Sequence, residues 1–272
     1  MVSVLIIHGI LTKTFSQNSI NYDLIVGPTG SALQLVLSTV YHVAPPIENL
    51  PYRYYLELKK DARVKVAIPV AMGDTTEQGG FPIVGTVPEF FQIDYSPNRP
   101  FLVDGYAFAN EFDAYIGSRV AVENGWKLGT KLKLVHGGAE AHVHDEEFEV
   151  VGILAPTGTP HDKTVYVNLE GFYQIQGHDK PLKEGIIRER KFFGEPPLSD
   201  DEIAEEIKKI EAKYGKHDHS HDHAHGHDHG HHHSHELPDV QKEVTSILVQ
   251  SKNPVVALTH AGEMKKDNRV MG

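Results

Sequence analysis

The chain has 272 residues, and 26 Lys+Arg against 37 Asp+Glu leave a formal net charge of −11, with 19 His and no Cys. Without a thiol there is no disulfide scaffold, Cys-based zinc finger, iron–sulfur cluster or thiol catalysis, so any metal chemistry must use imidazole and carboxylate. The acidic balance argues against a nucleic-acid partner, which requires a basic face to neutralise phosphates, and the length suits one large domain or two small ones.

No stretch reaches the ~18–20 apolar residues of a bilayer-spanning helix. Residues 2–11, interrupted by His8 and Gly9, read as a short buried strand or as the exit end of a membrane helix that starts upstream; a signal peptide would need a basic lead and a small-residue cleavage site. GPTGS at 27–31 lacks the spacing and the lysine of a phosphate loop and is expected to be a turn capping a helix. In that helix Leu33, Val36, Leu37, Val40 and Tyr41 share one face, and Pro45-Pro46 end it. A helix is expected over 51–60, strands over 63–70 and 81–87, and an irregular connection with a subdomain boundary at 94–105, where Pro, Asp and Gly crowd. Strands follow at 114–116, 131–135, 148–154 and 163–167, with short helices at 118–124 and 169–175. Residues 185–198 show no steady apolar period and read as a loop. Ser199 and Glu202 fit a capping box, Ile203, Ile207 and Ile210 form a stripe, and Gly215 closes the helix. Order resumes after Pro238 with a strand over 244–250 and a helix from Pro254.

Histidine carries the chemistry. Residues 217–235 hold 11 of the 19 His, at His217, His219, His221, His223, His225, His227, His229, His231, His232, His233 and His235. Neutral imidazole suits zinc, copper and nickel, and a flexible chain offers overlapping sets of three or four nitrogens; such a tract acts as a buffer or sensor, because ordering it costs chain entropy. An appended affinity tract is normally terminal and uninterrupted, unlike this one, and a solvated pH-responsive loop is the remaining alternative. A smaller group, His136, His142, His144 and Asp145, lies in VHGGAEAHVHDEE. If the flanking strands form a hairpin across Gly137-Gly138, His142 and His144 share a face and His136 lies at the opposite rim, where three imidazoles can converge; a polar hairpin tip without a ligand explains the same residues. A metallohydrolase using the three histidines with Glu146 as base would need an enclosed pocket that nothing in the pattern announces. The isolated His8, His42, His161, His178 and His260 read as satisfied surface or core histidines.

Several longer segments carry a resemblance: DLIVGPTGSALQLVLSTVYHV (23–43), AIPVAMGD (67–74), IVGT (83–86), GSRVA (117–121), LGTKLKLVHG (128–137), HVH (142–144), VVGILAPTGTPHDKTVYVNLEGFY (150–173) and TSILVQSKNP (245–254). Together they resemble the extracytoplasmic domain of FtsX/MacB-type ABC transporter permeases. The resemblance implies a mixed α/β fold, a MacB-like periplasmic core domain. Residues 16–93 and 239–272 would form a porter-like βαβ subdomain, residues 94–178 an inserted strand-rich subdomain, residues 179–238 an insertion with a helix and the His-rich loop, and residues 1–15 a remnant of the first membrane helix. It further implies a non-enzymatic segment on the extracytoplasmic side of an inner-membrane protein. Its expected partners are a cytoplasmic ABC ATPase acting through the full-length permease and a periplasmic protein, and its expected cofactor is zinc or a similar divalent transition metal. The alternative is a soluble periplasmic metal-binding or metal-delivery protein.

Overall fold

The computed structural model describes residues 21–136, 143–175, 177–215, 237–264 and 269–271, and the expectations for 1–15 and for the tract at 217–235 lie outside them. One strand organises everything else. Strand β3 (Val64–Thr76) is 13 residues long, and its two halves have different neighbours. Along Val64 to Val70 it pairs antiparallel with β11 (Ser246–Ser251), which in turn pairs with β1 (Leu24–Pro28), and β1 with β12 (Val270–Met271). Beyond Val70 the same strand pairs with β4 (Pro82–Thr86) on one side and with β7 (Lys131–His136) on the other.

The second half belongs to a closed system. β4 pairs with β9 (Val165–Asn168), β9 with β6 (Asp113–Ile116), β6 with β8 (Val143–Leu154), β8 with β7 and β7 with β3. These six strands therefore form a ring with no free edge, while β5 (Val103–Gly105) adds to β8 from outside. Ile83, Ala114, Ile116, Leu132, Leu134, Phe148, Val150, Val165 and Val167 fill one continuous core. A second core on the opposite face of the sheet gathers Ile68, Val70, Val84, Tyr115 and Tyr166 under Phe90, Ile93 and Phe108.

Pro69 shows how the two halves are separated. Val70 O accepts from Thr245 N at 2.8 Å, so Val70 turns its polar groups toward β11, and by the alternation of a strand Pro69 turns its own away, where its carbonyl accepts from Thr86 Oγ1 at 2.9 Å. Its missing N–H thus falls on the β4 side before that ladder begins at Ala71, and no ladder bond is lost. The strand then breaks register between Met72 and Thr75, around Gly73, as it bends into the ring.

Helices cover the sheet. Ser31 caps α1 (Ala32–Thr39) through its side chain, accepting from Gln34 N at 3.3 Å, as expected of a turn-and-cap at GPTGS. α2 (Tyr52–Lys60), α3 (Ser118–Asn124), α4 (Leu169–Gln174) and α7 (Pro254–Met264) also occur where the spacing placed helices. The segment expected as a loop at 185–198 is instead largely helical: α5 spans Leu182–Phe193. Its apolar period is weak because its buried side is narrow. Ile186 is buried beside Gly185, where a Cβ would stand 2.2 Å from Val240 O, so the helix rests on the returning chain through a glycine rather than an apolar stripe. Gly194, at φ 66°, terminates it in the left-handed conformation. α6 (Asp200–Tyr214) comes next, with the expected capping box of Ser199 and Glu202. Between α5 and the sheet, β10 (Glu243–Val244) pairs with β2 (Leu50–Pro51) as a separate ribbon.

The chain enters β1 and leaves β11 at the same end of the sheet. Leu24 faces Val249, and Ser251 N donates to Asp23 Oδ2 at 2.6 Å.

Packing at two buried points can be tested. A methyl group on Gly171 would stand 1.9 Å from Glu111 O, so Gly171→Ala is expected to lower stability in urea denaturation by about 1–3 kcal/mol. His161 is buried beneath Phe90 and Phe101, where desolvation, aided by nearby His42, lowers its pKa to about 3; burial lowers that of His42 to about 4, against a hydrogen bond to Thr39 O. The unfolded chain protonates both rings near pH 6.5 and the folded chain does not, so stability present above pH 6.5 is lost as pH falls toward 4. Replacing His161 with Phe should flatten that acid limb by at least about 2 kcal/mol, measured as urea midpoints between pH 7 and 4.5.

Candidate metal centre

The rows of inward side chains on β7 and β8 end in histidine. On β7 the buried Leu132 and Leu134 are followed in phase by His136; on β8 the buried Phe148 and Val150 are preceded in phase by His144. On β3 the buried Asp74 is the register partner of His136. The three strands therefore deliver two imidazoles and a carboxylate to one end of the ring, and a fourth ligand arrives from outside the sheet. The connection after α4 turns at Gly177, with φ 89°, and places His178 under the same rim. One ligand atom from each of Asp74, His136, His144 and His178 can be chosen so that all lie within 4.8 Å of one another.

The contacts are close. His136 Nδ1 lies 2.6 Å from Asp74 Oδ1 and His178 Nε2 lies 2.9 Å from Asp74 Oδ2, the second pair off the alignment of a good hydrogen bond. The His136 and His178 rings stack with centroids 4.8 Å apart, and His144 stands edge-on to both at 4.8 and 5.1 Å. Side chains of Asp74 and His178 are 1% and 3% exposed, whereas that of His136 is 44% exposed. His136 is thus the opening of the site, beside a small cavity lined by Asn49, Gly73, Phe172 and Glu243.

Electrostatics make the group a ligand set. Burial pushes the Asp74 carboxyl up, but His178 and then His136 more than offset it, so the group stays below the usual carboxylate range and is an anion. Burial, reinforced by His178, pulls the His144 pKa down, so its ring is neutral with a nitrogen lone pair available. His178 Nδ1 is buried without a hydrogen-bond partner among the described residues, a costly arrangement unless an ion or water completes it. Three imidazoles and one carboxylate form the N₃O donor set of tetrahedral zinc, whose ligand atoms lie about 3.3 Å apart at Zn–N distances of ~2.0–2.1 Å. Contraction by an ångström or so would bring these four into that geometry.

Of the ligands expected from the sequence, the structure brings His136 and His144 together. Asp145 is not with them: adjacent to His144 on the same strand, it points from the opposite face, fully exposed, with its carboxylate 3.9 Å from Lys133 Nζ. His142 and the eleven tract histidines lie outside the described residues. The two ligands that the sequence does not announce are Asp74 and His178. Strand alternation could have placed Asp145 outward, but no local pattern links Asp74 or His178 to the HVH segment, because the first joins through β3–β7 register and the second through a connection.

A ring of six strands with both parallel and antiparallel pairs, continuous with an open antiparallel sheet and covered by helices, defines a mixed α/β domain rather than a helical or all-β one. Residues 1–209 match the family model of the MacB-like periplasmic core domain, and the chain belongs to that family, as the segments resembling FtsX/MacB-type permeases implied. The chain is similar to the extracellular domain of the noncanonic ABC-type transporter YknZ from Gram-positive bacteria, at 11% identity over 91% of this chain and 97% of that one, with a TM-score of 0.44. It is also similar to the periplasmic region of MacB from Actinobacillus actinomycetemcomitans, at 10% identity over 69% of this chain and 94% of that one, with a TM-score of 0.39. No curated protein matches it. Among the described residues no helix is long and apolar enough to cross a membrane.

Without metal, removing Asp74 strips His136 and His178 of their carboxylate. Asp74→Ala in chelator-treated protein should lose about 1–3 kcal/mol in urea denaturation, whereas Asp145→Ala should stay within about 0.5 kcal/mol, as an exposed site does.

Proposed function

We propose that this chain is the extracytoplasmic domain of an ABC transporter permease, that it passes ATP-driven movement of membrane helices to a substrate or partner protein, and that it binds zinc or a similar divalent ion while doing so. The family match supports the permease reading over the soluble metal-delivery one. The metal reading is carried by one observation, the convergence of Asp74, His136, His144 and His178 at the rim of the strand ring.

The chemistry is set by the donors. When bound, the metal would supply charge neutralisation and a fixed cross-link between strands. Four protein ligands leave no open tetrahedral position for a reacting water, so the centre is suited to holding structure and sensing metal rather than to hydrolysis. Asp74 is the anionic ligand; His144 and His178 are the buried imidazole ligands; the half-exposed His136 is the ligand past which an ion enters. The tract at 217–235 adds weaker, exchanging sites by virtue of its composition.

Zinc titration against a chromogenic chelator tests the metal reading. With residues 217–235 deleted, the protein is expected to retain one tight site, and His144→Ala or His178→Ala should weaken it at least about 100-fold, while Asp145→Ala leaves it unchanged. A deletion protein that binds no zinc would sink the reading. The permease reading predicts apolar spans of ~20 residues encoded on both sides of this segment, which the flanking gene sequence tests directly.

A further inference from the structure

We infer that metal binding at this centre clamps the connection between α4 and α5 to the strand ring and so fixes the first turn of α5 and the start of α6; the inference rests on the metal reading above. The four ligands are not equivalent in what holds them. Asp74, His136 and His144 lie on β3, β7 and β8, which are laddered to one another whether or not a metal is bound. His178 has no ladder. Its backbone N–H donates to Ile175 O at 3.1 Å, and two residues later the connection is tied by Lys180 N to Gln241 O at 3.0 Å and by Gln241 Nε2 to Lys180 O at 2.7 Å. Between those ties the exposed Gly177 occupies the left-handed region, and the polar reach of the His178 side chain to the sheet is a single approach, to Asp74 Oδ2 at 2.9 Å.

Two features indicate that this contact awaits a metal. The His178 side chain is almost fully buried, stacked on His136 and packed on Phe172 with centroids 4.2 Å apart, yet its Nδ1 is unpartnered and its Nε2 is poorly aligned with the carboxylate. An ion among the four groups would turn one misaligned contact into a coordination bond and join a connection to three fixed strands.

The effect of the clamp extends along the chain. Pro181 caps α5, Gly185 seats that helix on Val240 O, and Lys183 pairs with Asp200 at 2.8 Å at the start of α6, while Arg188 to Glu243 and Arg53 to Glu189 hold the later turns of α5, so the metal would act on the first turn of α5 and, through Lys183, on the start of α6. A state with the connection open offers three ligands and a state with it closed offers four. The metal shifts the balance by the ratio of those affinities, and by reciprocity any load that draws the connection off the ring weakens the metal by the same factor. The connection and the first turn of α5 are the zinc-sensitive part of the domain.

Hydrogen–deuterium exchange on the full chain tests this, comparing chelator-treated and zinc-loaded protein. Zinc is expected to slow exchange at least about tenfold in residues 177–181 and in the first turn of α5. His178→Ala should still take up zinc, more weakly, without that protection, and His178→Cys, which restores a ligand, should regain it. Slowing confined to β3, β7 and β8, or equal protection in His178→Ala, would overturn the clamp while leaving the metal site standing. Absence of zinc binding in the parallel titration would overturn both.

Discussion

Every part of this domain depends on the double membership of β3. A strand of 13 residues is long for a globular protein, where about five or six is common, and it survives because its two halves satisfy different partners. Pro69 ends one regime without an orphaned donor, and the irregularity at Gly73 begins the next. A single rigid backbone thereby connects the open sheet of β1, β11 and β12 to the ring of six, and no hinge of irregular chain intervenes along it.

The same geometry creates the candidate metal centre. In a closed ring every inward side chain faces another strand's inward side chain, so the last residues of neighbouring rows meet at the rim. Apolar residues there would merely cap the core. Here the positions are Asp74, His136 and His144, and the burial of Asp74 and His144 is costly unless they satisfy neighbouring groups or an ion. Their partial satisfaction, with one carboxylate shared by two imidazoles and a buried nitrogen left over, is what distinguishes a ligand set from a structural network.

Much of the fold was legible in the sequence because it obeys local rules. The helix caps at Ser31 and Ser199 and the β-branched runs of β3 and β11 need only near neighbours, whereas the stripe expected from Leu33 to Tyr41 is not the face that α1 buries, since Leu35, Ser38 and Thr39 turn inward and Leu33 is exposed. α5 escaped because its seating depends on a glycine against Val240, a contact made across the fold and invisible to periodicity. The candidate metal centre was half legible for a related reason. HVH advertises its histidines, and period-two alternation assigns His144 inward and Asp145 outward, but Asp74 and His178 join through strand register and a connection whose course only the folded chain sets. Resemblance to a permease family identified the domain from long segments, most of which contribute nothing to the metal site.

The side-by-side passage of the chain through β1 and β11 has a mechanical meaning. Leu24 opposite Val249, with Ser251 bonded to Asp23, places the start of β1 and the end of β11 about one strand spacing apart, ~4.8 Å, at one end of an antiparallel ladder, while β12 pairs at the other end of β1. Forces that move both points together tilt the sheet as a lever, and β3 carries the tilt into the ring with all ladder bonds loaded in parallel. Forces that separate them act as on a zipper, opening one bond at a time from the Asp23–Ser251 end. The sheet is therefore stiff toward concerted displacement of these two points and compliant toward their divergence.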